Sequence, residues 1–268
     1  NKIAFKSCVY EGIDGAGVQV VESGTFNIYG GEISENSAAS MSGGVFVVGT
    51  FNMYDGRISN NTADYFGGGV SVYGGTFNMY GGEISKNSVR NASRDSHGGG
   101  GIWMHSGSTF CMSGGSITGN TACRDGRYGQ GGGIHCADTN VKVELFGAPV
   151  IKDNGLTTGA VNNLYADTGS SNVTITGSLT TGAEIHIVKN GDNAAKVASG
   201  VAASDANQYI FCDDTGYEAS YNADSNMITW TVPTHTHVWG EWFSNGDGTH
   251  TRTCRDNPDH TQTEKCSG

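Results

Sequence analysis

The chain has 268 residues, of which 26 are acidic and 15 basic, so its formal net charge at pH 7 is −11. This charge, without any Lys/Arg-rich run, disfavours nucleic acid and anionic membranes as partners, and the longest apolar runs are far shorter than the roughly 20 residues of a membrane helix. Glycine accounts for 43 residues and proline for only 3, with no Gly-X-Y period, which excludes collagen and favours many tight turns.

The chain begins with NKIAFKSC, without an initiator Met and without a charged-then-apolar leader. We therefore expect a mature or excised piece from which any signal peptide is already gone. The 7 cysteines are an odd number at irregular positions, which is not typical of a disulfide framework. They are Cys8, Cys111, Cys123, Cys136, Cys212, Cys254 and Cys266.

A repeated stretch dominates the first half of the chain, in the near copies GTFNIYGGEISENS, GTFNMYDGRISNNT and GTFNMYGGEISKNS. Two further copies, STFCMSGGSITGNT and the degraded VKVELFGAPVIKDN, follow. Aligned on Phe26, Phe51, Phe77, Phe110 and Val143, the copies are 25, 26, 33 and 33 residues apart. A period in this range indicates a solenoid, a propeller or another repeat array.

Each copy follows a shorter unit of the type V-x-V, as in GGVFVV and GGVSVY. One period therefore contains three short alternating stretches, V-x-V, F-N-M and E-I-S, which are bounded by Gly or Asn. Alternation with a period of two indicates strands with one buried face. Three strands per turn of about 25 residues predict an all-β fold, a right-handed single-stranded parallel β-helix, whereas a propeller blade needs about 40–45 residues.

Stacking of such coils predicts which side chains meet. We expect the inward side chains to form ladders of like residues, and in one copy these inward residues are Phe77, Met79 and Ile84. We expect Asn78 and Tyr80 to face outward, and the corners to carry Asn36, Asn61, Asn87 and Asn120, whose amides can bond to the next coil.

These repeats, of which GGGVSVYGGTFNMYGGEISKN is typical, resemble the right-handed β-helix repeats of large secreted and surface proteins of gut Firmicutes. The resemblance covers about Ala16–Asn154, and the stretches NLYADTGSSNVTITGSLTTGAEIHIV and YIFCDDTGYEASYNADSNMITWTV resemble the final coils and closing strands of such proteins. It implies the fold and a secreted or cell-surface bacterial setting, but no fixed activity. We predict β-helix repeat coils at 1–160, divergent terminal coils and closing strands at 161–233, and a small module at 234–268.

Two adjacent insertions, at 88–97 and 121–130, interrupt the regular coils. Long loops on one side of a solenoid are where a binding groove would form. A carbohydrate site is one hypothesis, because exposed aromatic rings stack on sugars and paired carboxylates can act as acid and base. The alternative is that the charges only solvate the loops and that Trp103 covers sheet surface. The predicted binding residues are Arg94, His97, Trp103, His105, Arg127, Tyr128 and Asp138, and the predicted catalytic residues, if the chain is an enzyme, are Asp95, Asp125 and His135.

The tail after Trp230 has the form H-x-H-x-W-x-x-W, then G-T-H-T-x-T-C, and resembles a small module near the ends of clostridial-type surface proteins. A C-x-x-C pair is usual there, but CRDNPDH replaces it here. The resemblance implies a tetrahedral zinc site formed by His237, Cys254, His260 and Cys266. A Cys254–Cys266 disulfide is the alternative, and either would staple a module too short to form much of a core.

Two functional hypotheses follow. In the first, the chain is a secreted or cell-surface β-solenoid that acts as an adhesin or structural spacer and binds a glycan or a host surface protein through the two long loops. In the second, it is a carbohydrate-active enzyme, a polysaccharide lyase or glycosidase, with its groove at the same loops. An ice-binding solenoid would need a flat outward Thr ladder, and the outward rows are instead Asn, Tyr and mixed residues.

Overall fold

The structure is a computed structural model that describes residues 3–10, 15–125, 129–138, 140–166, 172–189, 197–199, 208–222, 224, 227–232, 238–255 and 261–265. It divides into two compact units, Asn1–Thr231 and Val232–Gly268. The first unit is all-β, and its stacked parallel strands form a β-solenoid of about 6 turns, which confirms the fold predicted from the repeats. In the part of the chain that the structure describes, no helix is long and apolar enough to cross a membrane.

The strands of the first five coils are β1 (Ile3–Lys6), β2 (Val9–Tyr10), β3 (Val18–Val20), β4 (Thr25–Ser34), β5 (Ser37–Ala38), β6 (Val45–Val47), β7 (Thr50–Ser59), β8 (Thr62–Ala63), β9 (Val70–Val72), β10 (Thr76–Met79), β11 (Glu83–Ser85), β12 (Ser88–Val89), β13 (Ile102–Met104), β14 (Thr109–Met112), β15 (Ser116–Thr118) and β16 (Thr121–Ala122). The later strands of this unit are β17 (Ile134–Cys136), β18 (Lys142–Gly147), β19 (Val150–Lys152), β20 (Gly155–Leu156), β21 (Leu164–Ala166), β22 (Asn172–Leu179), β23 (Glu184–Ile187), β24 (Val197–Ser199), β25 (Ile210–Cys212), β26 (Glu218–Asn222) and β27 (Met227–Thr231).

Equivalent strands of successive coils pair in parallel and in register. The V-x-V strands form one such stack, in which Val45 pairs with Val18 and Val70. In the F-N-M stack, Phe77 pairs with Phe51 on one side and Phe110 on the other. Because the register is zero, like residues lie on top of one another, as the repeat predicts.

Most coils contain a short strand that the sequence does not predict, and in two coils the F-N-M and E-I-S segments join into one strand, β4 or β7. The additional strands β2, β5, β8, β12, β16 and β20 are two residues long and form a separate six-stranded parallel sheet. A strand of two residues is too short to show alternation of apolar and polar side chains, so the pattern contained no signal for it.

The core is the inside of the coils. Phe51, Phe77 and Phe110 are fully buried, and their rings lie 4.7 and 5.1 Å apart. Phe26, the equivalent residue of the first repeat copy, is only partly buried and packs edge-on against Phe5. The inward positions of the repeat are therefore confirmed.

The corner asparagines form a buried hydrogen-bonded ladder, as predicted. The Nδ2 and backbone N–H groups of Asn61 both donate to Oδ1 of Asn87, at 2.9 and 3.0 Å, and Asn87 donates in the same way to Asn120. The second Nδ2 hydrogen of Asn87 reaches the carbonyl oxygen of Ile58, at 2.9 Å. The ladder consists of Asn36, Asn61, Asn87, Asn120, Asn154 and Asn163.

Glycine pairs before the V-x-V strands lie against this ladder. A Cβ atom on Gly69 would lie 2.7 Å from the carbonyl oxygen of Gly101 and 3.0 Å from Nδ2 of Asn87. Only glycine permits so close an approach of the backbone, which explains why glycine directly precedes the V-x-V strand in the copies from Gly17 to Gly133.

The solenoid ends in antiparallel pairing. Strand β24 pairs antiparallel with β27, and β26 and β27 form an antiparallel pair. This antiparallel pairing covers the edge of the last parallel coil, where unpaired backbone groups could otherwise pair with a strand of another chain.

The second unit is a small antiparallel sheet of three strands, β28 (Phe243–Ser244), β29 (Thr249–Thr253) and β30 (Thr261–Lys265). The guanidinium of Arg252 lies 4.9 Å from the ring of Trp239 and 4.5 Å from that of Trp242. These cation–π contacts give the small module packing that its short length would not otherwise supply.

We expect Asn87→Ala to destabilise the solenoid much more than Asn78→Ala, which removes the equivalent amide of the outward Asn row. Asn87→Ala removes four buried side-chain hydrogen bonds, at about 1 kcal/mol each, so we expect a loss of about 4 kcal/mol and a melting temperature about 10 °C lower. Asn78 donates at 2.8 Å to Asn52 on the part-buried outer face. Because water can replace that bond, we expect its loss to cost about 1 kcal/mol or less. Thermal melts followed by circular dichroism compare the two variants, and equal shifts would contradict a structural role for the ladder.

Candidate functional site

The insertion at 88–97 folds back over the outer side of the V-x-V strands. The Arg90 guanidinium pairs with the Asp64 carboxylate at 2.6 Å, and the Asn91 backbone N–H donates to the Asp64 carbonyl oxygen at 2.8 Å. Near the other end, the Trp103 indole N–H donates to the carbonyl oxygen of Ser96, at 2.9 Å. The insertion is thus attached to the coils at both ends.

Beneath this insertion lies an aromatic cluster formed by Tyr65, Phe66, His97 and Trp103. The ring of Phe66 lies 4.6 Å from that of Trp103 and 4.8 Å from that of His97. Trp103 projects from the outer side of β13, as predicted, but only 2% of its surface is exposed, and His97 is 5% exposed. These two predicted binding residues therefore anchor the insertion and do not line an open groove.

His97 is held in its neutral form. Burial lowers its pKa below the ordinary value, and the charges of Arg94 and His135 act in the same direction. Its Nδ1 can then accept the hydrogen bond that the Ser93 backbone N–H donates at 3.2 Å. The imidazole fixes the turn of the insertion and acts as a structural group.

The accessible part of this region is formed by Tyr73, His105 and Asp138, which we call the Tyr73 platform. The rings of Tyr73 and His105 stack at 4.4 Å with an interplanar angle of 8°. Nε2 of His105 lies 4.0 Å from a carboxylate oxygen of Asp138. Tyr73 is 41% exposed, so an aromatic surface next to a carboxylate faces solvent. Two predicted binding residues, His105 and Asp138, come together here, and Tyr73 was not predicted.

The remaining predicted residues differ in their exposure to solvent. Arg94, Asp95 and Asp125 are exposed, whereas His135 is fully buried and lies edge-on to Tyr165, at 5.5 Å between ring centroids. A substrate in contact with the two carboxylates would not reach the imidazole. Arg127 and Tyr128 lie outside the described residues.

A second cleft lies at the C-terminal end of the asparagine ladder and was not predicted. Its volume is about 650 Å³, and its lining includes His186, Cys212 and Asp213. Every asparagine of the ladder before Asn163 donates a hydrogen bond to the next asparagine of the ladder. Asn163 is the last of them, so its acceptor must be another kind of side chain. The Asp213 carboxylate accepts from both Nδ2 and the backbone N–H of Asn163, at 2.7 Å each. A carboxylate is suited to this end because it offers only acceptors.

His186 lies between two carboxylates at this end of the ladder. Its Nε2 is 3.2 Å from Glu184 and its Nδ1 is 3.6 Å from Asp213, while Lys152 pairs with Glu184 at 2.7 Å. Burial alone would lower the pKa of His186, but the hydrogen bonds and charges of Asp213 and Glu184 outweigh it, so the pKa is raised. When it is protonated, the imidazole is a counter-ion for the carboxylate that terminates the ladder.

Neither of two partly buried thiols is activated as a nucleophile. Burial, followed by the hydrogen bond and charge of Glu144, raises the pKa of Cys111 to about 12. Burial also raises the pKa of Cys212. Because the thiolate is the reactive form, these two positions do not support cysteine catalysis.

The predicted zinc site falls mostly outside the described residues, because His237, His260 and Cys266 are not among them. Cys254 is described and is 2% exposed, in a β-bridge with Trp239. A buried thiol at this position is compatible with a zinc ligand and with a disulfide. Among the residues that the structure does describe, no three His, Cys, Asp or Glu side chains are grouped so as to hold a metal ion. The zinc site stays a prediction.

We expect the stability contributed by His186 to decrease as the pH rises. Its folded pKa is above the ordinary value of 6.5, so its contribution is fully present below that value and is lost as the pH rises through the raised pKa. The difference in melting temperature between the natural chain and His186→Gln should therefore be larger at pH 5.5 than at pH 8.5. The lowered pKa of His97 has the opposite effect on the pH dependence of stability, but His97 is present in both proteins. Its effect therefore cancels in the difference in melting temperature. A difference that grows with pH would contradict the assignment.

Comparison of the chain with protein-family models, with curated proteins and with solved structures found no match. The functional conclusion therefore depends on the geometry of the solenoid and of its surface.

Proposed function

We propose that this chain is a secreted or cell-surface bacterial β-solenoid that acts as a rigid spacer and adhesin. The observation that carries the proposal is the stack of parallel coils around one asparagine ladder, which is in register except for local shifts between β4 and β7 and between β18 and β22. Such a stack extends by repetition of one unit and holds whatever surface it displays at a fixed place. The resemblance of the repeats to those of surface proteins supports the same setting.

The spacer role agrees with the energetics of the coils. Each coil contributes a full row of buried apolar side chains and a rung of buried amide bonds, so stability accumulates along the stack. The net charge of −11 favours solubility and disfavours non-specific association with anionic surfaces.

The Tyr73 platform is the surface at the insertions that best suits a partner. An exposed aromatic ring next to a carboxylate can stack on a sugar or on an apolar side chain while the carboxylate accepts hydrogen bonds from hydroxyl or amide groups. We propose a glycan or a host surface protein as the partner. In the small C-terminal module, bound zinc or a disulfide would provide a staple and no catalysis.

The geometry favours binding over catalysis. A general acid and base must both reach the reacting bond, within a hydrogen bond or one water. His135 has no exposed surface, and Asp95 and Asp125 lie on solvated loops. The arrangement of these three residues therefore gives no support to a glycosidase or lyase mechanism.

We expect the labelled full chain to bind a mucin-coated surface or a glycan array, and Tyr73→Ala to weaken that binding about tenfold, which corresponds to the loss of one stacking contact of about 1.4 kcal/mol. Phe146→Ala is the matched control, because it removes an aromatic residue of similar exposure that is not part of the platform. Binding that is unchanged in Tyr73→Ala and His105→Ala would show that the platform is not the contact surface. Retention on neither surface would contradict the adhesin role.

A further inference from the structure

The chain between the F-N-M and E-I-S segments bends, and these bends form a trough along the first coils. Glycine occupies these bends on successive coils, as Gly30–Gly31, Gly56 and Gly82, and leaves them without side chains. The resulting cavity has a volume of about 800 Å³. Its lining is Ala4, Lys6, Gly30, Gly31, Glu32, Asp55, Gly56, Arg57, Gly82, Glu83 and Ser116. Because it crosses several coils, the cavity is elongated along the stack.

A row of exposed tyrosines directly precedes these bends in the chain. Tyr29, Tyr54 and Tyr80 are 71%, 40% and 46% exposed, although large aromatic side chains gain from burial. The rings stack on one another, with centroids 4.6 and 4.9 Å apart and interplanar angles of 4° and 13°. Their faces therefore cover each other, and their apolar edges and hydroxyl groups are presented to solvent as a continuous strip. The tyrosines are not part of the cavity lining, but each precedes a lining residue, Gly30, Asp55 or Gly82, by one or two positions. We call the strip and the neighbouring trough together the Tyr54 groove.

Four of the five charged side chains that line the groove form two ion pairs, and Asp55 adds one negative charge. Lys6 pairs with Glu32 at 2.5 Å, and Arg57 pairs with Glu83 at 2.9 Å. Two ion pairs and one further carboxylate produce only a weak field at a distance, so the groove is not built to select a polyanion or a polycation. The same groups still offer several hydrogen-bond donors and acceptors to a ligand.

The spacing of the tyrosines indicates the repeat distance along a ligand that would bind in the groove. A ligand that lies along the stack meets the same set of groups once per coil, every 4.6–4.9 Å at the tyrosine rings. One sugar ring of an extended polysaccharide has about this length, and its hydroxyl groups match the polar groups of the trough while its C–H edges match the tyrosine strip. We propose that the Tyr54 groove binds a linear, uncharged polysaccharide parallel to the solenoid axis, with successive sugars on successive coils.

This site contains no residue of the Tyr73 platform, and its test separates the two. Isothermal titration of the full chain with cellohexaose, xylohexaose and mannohexaose should show binding of at least one of them. The affinity should rise steeply from the disaccharide to the tetrasaccharide, because each further sugar contacts another coil. Binding should also be nearly independent of salt, since the oligosaccharides are uncharged.

Three variants locate the binding. Tyr54→Ala breaks the strip and should lower the affinity about tenfold, as expected for one lost aromatic contact. Tyr54→Phe keeps the stacked ring, and we expect about a threefold loss from the missing hydroxyl. Ser116→Tyr should fill one end of the trough and abolish binding without removing a native aromatic residue. Phe146→Ala removes an exposed aromatic residue that belongs to neither surface, so it is the control and should bind as the natural chain does. Circular dichroism confirms that each variant is folded.

Failure of all three hexasaccharides to bind would overturn the proposal, as would binding that is equally strong in Tyr54→Ala and Ser116→Tyr. Binding lost in Tyr73→Ala but retained in the groove variants would place the glycan on the platform and also refute the groove. A polyproline decapeptide serves as a competing probe, because proline-rich peptides dock on aromatic grooves. Its binding in place of the oligosaccharides would assign the groove to a protein partner and contradict the proposal.

Discussion

The buried asparagine ladder is the interaction on which the other features of this solenoid depend. Every rung joins two coils by side chain and backbone at once, and the same amide reaches back to an isoleucine carbonyl, as Asn87 does to Ile58. Such a chain of bonds forms only if the coils are in register, and glycine is needed where the backbone comes closest, as at Gly69. In-register coils then bring the phenylalanines of the core and the tyrosines of the surface into stacks. All the ladder amides donate toward the C-terminal coils, so the last of them donates to the buried carboxylate of Asp213. His186 lies beside that carboxylate as its counter-ion.

Most of the regular structure was predictable from the sequence, because each inward or outward position recurs in several copies. Phe77, Met79 and Ile84 are buried and Tyr80 is exposed, as alternation indicates. The additional two-residue strands were missed because strands such as Thr62–Ala63 are too short to carry a pattern. Asp213 was missed because it follows the ladder by 50 residues along the chain, and no local pattern joins it to Asn163.

The candidate site was less predictable, since alternation shows which side of a strand a residue faces but not what covers it. Trp103 faces outward and is buried by an insertion from the same chain. Polar and aromatic residues in an insertion thus act first as its anchors, and only those at its margin, such as His105 and Asp138, remain available to a partner. The tyrosine row illustrates the converse, because a perfectly regular part of the repeat presents exposed aromatic groups beside an open trough.

Native-state hydrogen exchange followed by mass spectrometry tests the central claim most directly. If the ladder holds the coils together, the backbone amides of Asn36, Asn61, Asn87, Asn120 and Asn154, each bonded to the next side chain, should be among the slowest to exchange and should exchange as one group. Exchange of these corner amides as fast as that of exposed loop amides, while the strand amides stay protected, would contradict the account.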